Sequence, residues 1–282
     1  MFFFIKKYYV DIITIFSNID ILILIYSCFL YILLIFFAAF LWSNIVQEIG
    51  VDLDWKKNSN IYLSTLAARR LPGSIIHIIG RVGMYKFYGQ SVKRIALASA
   101  LEYLLIIFSG IVLTILFIPL FIRNFYPFWF LLFLVMIILL FLIRSKSFEK
   151  LLHKIKGDES LPRINNKKII FWLIGYSVIW VLGGFLLLLI IHSIDLDSKI
   201  IWYQSVFSWV SSGVIGMIIT FLPSGLGVVE VSLSSSLSKI IGIPVAISVA
   251  LLSRIIQTLM DIVISMIFLL LNKVFNPKEL LK

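Results

Sequence analysis

The chain has 282 residues, 61% of them apolar and only 14% charged, with 24 Phe and a formal net charge of +11. A soluble domain runs at roughly 45–50% apolar and about 25% charged, so this composition excludes an ordinary soluble fold and requires a bilayer as part of the solvent. The one cysteine, Cys28, excludes an intrachain disulfide framework and a thiolate metal site, and in so apolar a chain membrane topology accounts for the positive charge better than nucleic acid does.

About 20 apolar residues cross the hydrocarbon core as a helix. Residues 21–42 carry no formal charge and are longer than the apolar stretch of a removable signal, so they predict a permanent first span. Residues 95–118 follow, interrupted only by Glu102, and then 125–143 after a turn with Pro119, Arg123 and Pro127. Residues 169–191, 200–222 and 244–271 complete six predicted spans, the last with Arg254 and Asp261 inside it.

Two segments are too polar for a lipid-facing helix and too apolar for a loop. Residues 61–82 contain Arg69, Arg70, Pro72, Gly73, Gly80 and Arg81; residues 223–238 contain Pro223, Gly225, Gly227, Glu230 and a serine-rich tail. Proline removes a backbone donor and glycine loosens a helix. Such breaks persist at membrane depth only where protein or a wet cavity surrounds them. Both segments are therefore expected to be broken or re-entrant helices.

Positive charge marks the cytoplasmic loops. Residues 144–168 hold eight Lys/Arg against three acids, and residues 81–94 hold four and none. If both broken segments cross, the chain has eight crossings with both termini inside. Loops 43–60, 119–124, 192–199 and 239–243 then lie outside with no net charge. If both dip and return from the inside, the amino terminus is outside.

The two broken segments resemble each other. One begins LPGSIIHIIG at Leu71, the other LPSGLGVVE at Leu222, and each ends on a glycine, Gly89 or Gly242, before a long helix. Glu102 lies 30 residues after Pro72, and Arg254 lies 31 after Pro223. The expectation is one domain over 1–282, with repeat halves 1–124 and 169–282 joined by the basic loop 144–168. Inverted repeats with interrupted helices near the midplane are a transporter design.

The pattern RRLPGSIIHIIGR, then Glu102, then FLPSGLGVVE and Arg254, resembles the lysylphosphatidylglycerol synthase transmembrane region, the flippase-like membrane domain family. The resemblance covers about residues 21–271; Ser224 stands where the family usually has a glycine. It implies an all-α, polytopic, lipid-handling domain of the cytoplasmic membrane. That domain is fused in some bacteria to a soluble aminoacyl-transfer domain, and elsewhere stands alone or beside glycosyltransferases. This chain resembles the stand-alone form.

Charges at membrane depth are costly and usually face a cavity. Arg69 and Arg70 either form an anion site for a lipid phosphate, which a guanidinium fork suits, or snorkel to headgroups. Arg81 is expected to be an anchor at the inner mouth. Glu230 either accepts a proton or cation, or pairs with Arg254. Arg254, Thr258 and Asp261 share one helix face, and Glu102 is expected to meet Arg254 across a pseudo-two-fold axis. With Pro72, Gly73, Pro223, Gly225 and Gly227, these charges form the candidate substrate site.

The histidines His77, His153 and His192 show no metal-ligand spacing, and no cofactor is expected. Nucleotide-loop and nucleophile-elbow motifs are absent, so uphill transport would draw on an ion gradient, a partner enzyme or substrate consumption. Ser232–Ser238 reads as small-residue packing, and Trp42, Trp129, Trp172 and Trp202 as interfacial belt residues. The expected activity is movement of a phospholipid or polyprenyl-phosphate-linked substrate across the membrane. Alternatives are a subunit or accessory of a lipid-linked aminoacyl- or glycosyl-transferase, and an ion-coupled carrier of a soluble anion. Expected partners are a membrane lipid and a glycosyltransferase or other lipid-modifying enzyme, not nucleic acid.

Overall fold

The computed structural model describes residues 7–70, 76–121, 164–219 and 227–271. Among them are nine α-helices and no strand: α1 (Tyr9–Ser17), α2 (Ile21–Glu48), α3 (Trp55–Ser64), α4 (Ile76–Phe87), α5 (Val92–Phe121), α6 (Asn166–Ile194), α7 (Trp202–Ile218), α8 (Val228–Ile241) and α9 (Ile243–Leu271). A 3₁₀ turn, Ala67–Arg70, follows α3. This is an all-α polytopic membrane fold. The predicted span 125–143, most of loop 144–168, His153, Trp129, Pro72, Gly73, Pro223 and Gly225 lie outside the described residues.

Local chemistry sets the helix starts. Asp20 accepts hydrogen bonds from the Leu22 and Ile23 amides at 2.9 and 3.1 Å, and Asp54 from the Lys57 amide at 3.0 Å. Asn165 does the same for Lys167 at 3.0 Å. Each cap satisfies an amide that has no partner within its helix, which matters most where water is scarce.

Helices α2, α5, α6 and α9 are long and apolar enough to cross a bilayer. Their faces divide by packing, since lipid and core are equally apolar. On α2, Leu22, Tyr26, Phe29, Leu33, Phe36 and Phe40 point outward, while Tyr31, Ile35, Ala38, Trp42 and Ile45 are buried. Helix α7 has 17 residues, about 26 Å at 1.5 Å per residue, which is short of the roughly 30 Å hydrocarbon core.

Contacts between helix ends fix the directions. At one end, the Arg94 Nη1 donates to the Gly50 carbonyl at 2.6 Å, and the Asp52 amide to Gln90 Oε1 at 3.1 Å. Lys168 pairs with Glu48 there at 3.7 Å. Glu48–Asp54, Gln90–Arg94 and Lys168 thus share one end of the molecule, here the basic end. Helices α3 and α4 enter from that end and return to it. They form a re-entrant hairpin, not a crossing.

The opposite end is marked by the Asp20 amide donating to the Ser193 carbonyl at 2.8 Å and by Phe117 against Trp202, 6.0 Å between ring centroids. Helix α7 starts there and runs antiparallel to α5 until the Tyr103 hydroxyl donates to the Met217 carbonyl at 2.7 Å. Helix α9 runs parallel to α2, because Tyr31 meets Asp261 and Phe36 meets Phe268. It therefore starts at the opposite end, and α8, which ends directly before it, returns there. Helices α7 and α8 make a second re-entrant hairpin, entering from the other face.

Two sequence expectations are corrected. The eight-crossing arrangement fails because loop 43–60 and segment 81–94 lie at the same end. The alternative with both segments dipping from the inside fails because they enter from opposite faces. Periodicity cannot separate a crossing from a dip, since each hairpin arm is too short to show its direction.

Candidate functional site

The two hairpins bring their inner ends to one cavity of about 380 Å³. Glu102 lies ten residues into α5 and Arg254 eleven into α9, about 15 Å from opposite ends and so near the midplane. Arg69, Arg70, Arg81 and Arg254 line the cavity with Glu102 and Glu230. Aromatic residues Tyr31, Tyr62, Tyr176, Trp180 and Trp209 form much of the remaining wall.

Arg81 is 2% exposed, and its Nη1 meets Glu102 Oε2 at 2.7 Å. Its guanidinium also lies 4.0 Å from the Trp42 ring centroid and 4.5 Å from that of Tyr62. The Tyr176 hydroxyl donates to Glu102 Oε1 at 3.4 Å. Behind this pair, the Trp42 indole donates to the Tyr85 hydroxyl at 3.0 Å, and Tyr85 donates to Asn58 Oδ1 at 2.9 Å. Arg81 is therefore a core cation held by charge and aromatic faces, not an anchor at the mouth. Trp42 and Trp172 are likewise buried within the protein, not belt residues, whereas Trp202 is exposed.

The second hairpin repeats the pairing with the signs exchanged. Arg254 Nε lies 3.2 Å from Glu230 Oε1. The other oxygen, Oε2, accepts from the Gly227 amide at 2.7 Å. Gly227 has φ +85°, a left-handed conformation that a side chain would strain. Glu230 thus caps its own helix and balances Arg254 together. The expected Glu102–Arg254 contact does not form: Glu102 belongs to Arg81, and each half closes its own pair.

A further charged contact joins the halves at the cavity. Arg70, at the tip of the first hairpin, reaches Asp261 of α9 through Nη2 at 2.7 Å and Nε at 2.8 Å. The Tyr31 hydroxyl donates to Asp261 Oδ1 at 2.7 Å, and Arg70 Nη2 donates to Tyr31 at 3.2 Å. Arg70 Nη2 also approaches Gln257 Oε1 at 3.4 Å. The polar face of α9 runs through Arg254, Gln257 and Asp261, so Gln257 takes the place expected for Thr258. Arg69 sits with its guanidinium 5.7 Å from the Tyr62 ring centroid, on the cavity wall.

Other expectations shift in detail. Ser234, Ser236 and Ser238 turn their hydroxyls back to carbonyls three residues earlier, while Leu233 and Leu237 make the buried contacts of α8. The expected serine packing seam is thus a leucine seam. His77 lines the cavity. The tyrosines and tryptophans of the wall gave no separate signal, because aromatic residues are common throughout so apolar a chain.

The profile of the family described as "Lysylphosphatidylglycerol synthase TM region" matches residues 1–265. The chain belongs to this family. No curated protein matches it. The lysylphosphatidylglycerol synthase transmembrane region is a membrane domain, and in this member its interrupted segments are two re-entrant hairpins facing one charged cavity.

Proposed function

We propose that this chain carries an anionic lipid, a phospholipid or a polyprenyl-phosphate-linked substrate, between the leaflets of the cytoplasmic membrane. The headgroup would pass through the cavity while the chains stay in lipid. The observation that carries this reading is the convergence of the inner ends of α3, α4, α7 and α8 from opposite faces on one cavity with net positive charge. Four arginines face Glu102, Glu230 and Asp261 there, leaving one positive charge. A volume of about 380 Å³ falls within the roughly 300–1,000 Å³ of small-molecule sites and suits a headgroup better than a whole lipid.

The order of elements supports an inverted repeat: long helix, short arm, break, short arm, long helix, first as α2–α5 and again as α6–α9 in the opposite direction. Two such halves give each face an equivalent approach to the midplane, the arrangement alternating access needs. By the positive-inside rule the basic end is cytoplasmic.

Vesicles reconstituted with the purified protein and fluorescent anionic lipids test the activity. Leaflet exchange without a new lipid species is expected. Absence of exchange refutes transport, and a new lipid product favours the transferase reading. Sidedness is tested with Lys56→Cys and Asp197→Cys, both at exposed positions. A membrane-impermeant thiol reagent should label the second from outside intact cells and not the first; the reverse would invert the orientation.

A further inference from the structure

Three carboxylates balance the arginines around the cavity, and they are held differently. Glu102 has Arg81 on one oxygen at 2.7 Å and the Tyr176 hydroxyl on the other at 3.4 Å. Asp261, fully buried, takes two nitrogens of Arg70 at 2.7 and 2.8 Å and the Tyr31 hydroxyl at 2.7 Å. Glu230 lines the cavity beside Arg254, and their separation of 3.2 Å is the longest of the three pairs.

A proton would affect the three unequally. On Glu102 it leaves Arg81, 2% exposed between the Trp42 and Tyr62 rings, without a counter-charge. On Asp261 it meets donors on both oxygens. Glu230 differs, because its Oε2 accepts from the Gly227 amide at 2.7 Å, and the carbonyl oxygen of a neutral carboxyl can keep that bond. The helix start therefore survives protonation at Oε1, the oxygen that faces Arg254. Arg254 is also within reach of an entering anion, since its side chain is 17% exposed on the cavity wall. Arg70 is as open, at 16%, but holds Asp261 through two nitrogens. An anion that draws Arg254 away removes the charge that favours the ionised form of Glu230, and a buried carboxylate so deprived is neutralised by a proton.

Resting on the lipid-transport reading above, we propose that Glu230 is the site of a coupling proton. Each anionic headgroup that engages Arg254 brings one proton onto Glu230 Oε1. The proton comes from water on the open side and returns to water when the headgroup leaves and Arg254 closes on Glu230 again. Four arginines against three carboxylates give the empty site one positive charge, and a singly charged headgroup with its proton restores the same value. Loaded and empty sites then carry equal charge. Transport follows a pH gradient, toward the leaflet facing the more alkaline side, and ignores the membrane potential. The other charged groups at the cavity are Arg69, Arg70 and Arg81, with Glu102 and Asp261 paired as described; α7, which packs on α8, has no charged residue. Tyrosines titrate well above neutral pH, which leaves His77 on α4 as the competing titratable group.

Calorimetric titration of the detergent-purified full chain with short-chain phosphatidylglycerol tests this, because a phosphodiester keeps its single charge as pH changes. Repeated in buffers of different ionisation enthalpy, wild-type binding should take up as much as about one proton per lipid. Only the loaded state holds the proton, so rising pH opposes loading, and affinity should fall by up to about tenfold per unit between about pH 5 and pH 8. Glu230→Gln should bind with no proton uptake and a flat pH profile, since its amide oxygen keeps the Gly227 bond and the group is already neutral. His77→Gln should retain the slope, whatever its affinity. In wild-type vesicles a pH gradient should enrich the lipid in the alkaline-facing leaflet beyond protein-free controls, and a potassium diffusion potential should not. Wild-type binding without proton uptake, or enrichment by potential alone, overturns the coupling and leaves the lipid reading standing. Uptake that persists in Glu230→Gln, or is lost in His77→Gln, overturns the assignment to Glu230. No binding at any pH removes the lipid reading and the coupling with it.

Discussion

The two hairpins are built on one plan and secured differently. In the first, the Arg81–Glu102 pair is closed in by Trp42, Tyr62 and Tyr176 and braced by the chain Trp42–Tyr85–Asn58. In the second, the Glu230–Arg254 pair keeps one side toward the cavity: the Arg254 side chain is 17% exposed, against 3% for Arg81. Glu230 spends its second oxygen on its own helix start. The same charges, exchanged between arms, therefore make a sealed strut on one side and a cavity-facing clasp on the other. Burial, not sequence position, decides which role a pair takes.

Breaking the strut should have the largest effect. Glu102→Gln leaves Arg81 buried without a counter-charge, a loss that commonly costs about 3–5 kcal/mol. Folded yield in detergent should fall sharply. Exchanging the pair (Arg81→Glu with Glu102→Arg) should not restore it, because a carboxylate between Trp42 and Tyr62 loses both cation–π contacts. Full recovery by the exchange would show that charge balance alone holds the first hairpin.

Removing the Arg70–Asp261 link comes next. Arg70→Gln strands Asp261, which is fully buried. It should lower the thermal midpoint, and Arg70→Gln with Asp261→Asn should recover much of the loss. Arg69→Gln should lower the midpoint less, since it gives up the Tyr62 face and not a buried counter-charge, and should weaken anionic lipid binding. A simple phosphate role for both arginines would instead give two variants of equal stability, so this pair separates the structural cation from the cavity one.

The clasp should be more tolerant. Glu230→Gln and Arg254→Gln each expose the remaining charge to the cavity, so a cost of about 1–3 kcal/mol is expected, with vesicle lipid exchange reduced further than stability. The exchange Glu230→Arg with Arg254→Glu should recover folding in part, limited by the lost helix cap. Of similar size is Gly184→Ala, whose Cβ would sit 2.5 Å from the Val206 Cα, a backbone atom, and push α7 away from α6. Overpacking of this kind costs about 1–3 kcal/mol, at the lower end if α7 can shift. Destabilisation equal to that of Glu102→Gln would show the second hairpin to be as rigid as the first.

Much of this was legible in the residues. Long apolar runs mark α2, α5, α6 and α9 because the bilayer sets their length, and the breaks stand out because Pro, Gly and Arg are rare at that depth. The Glu230–Arg254 pair follows from two charges with few places to go. The Arg81–Glu102 pair does not, since it depends on α4 returning to the basic end beside α5. The choice between crossing and re-entry rests on tertiary contacts such as Arg94 with Gly50, to which no local pattern points. Asn58 was misplaced for the same reason: it lies in the outer loop of the eight-crossing reading and is in fact buried against Tyr85.

The Arg70–Asp261 contact also sets an order of events at the ribosome. Its partners are 191 residues apart. At a synthesis rate of roughly 5–20 residues per second, the nascent first hairpin waits about 10–40 s before its counter-charge is made. During that interval Arg70 has no Asp261 to pair with, and a chain cut short before α9 keeps an unlatched Arg70.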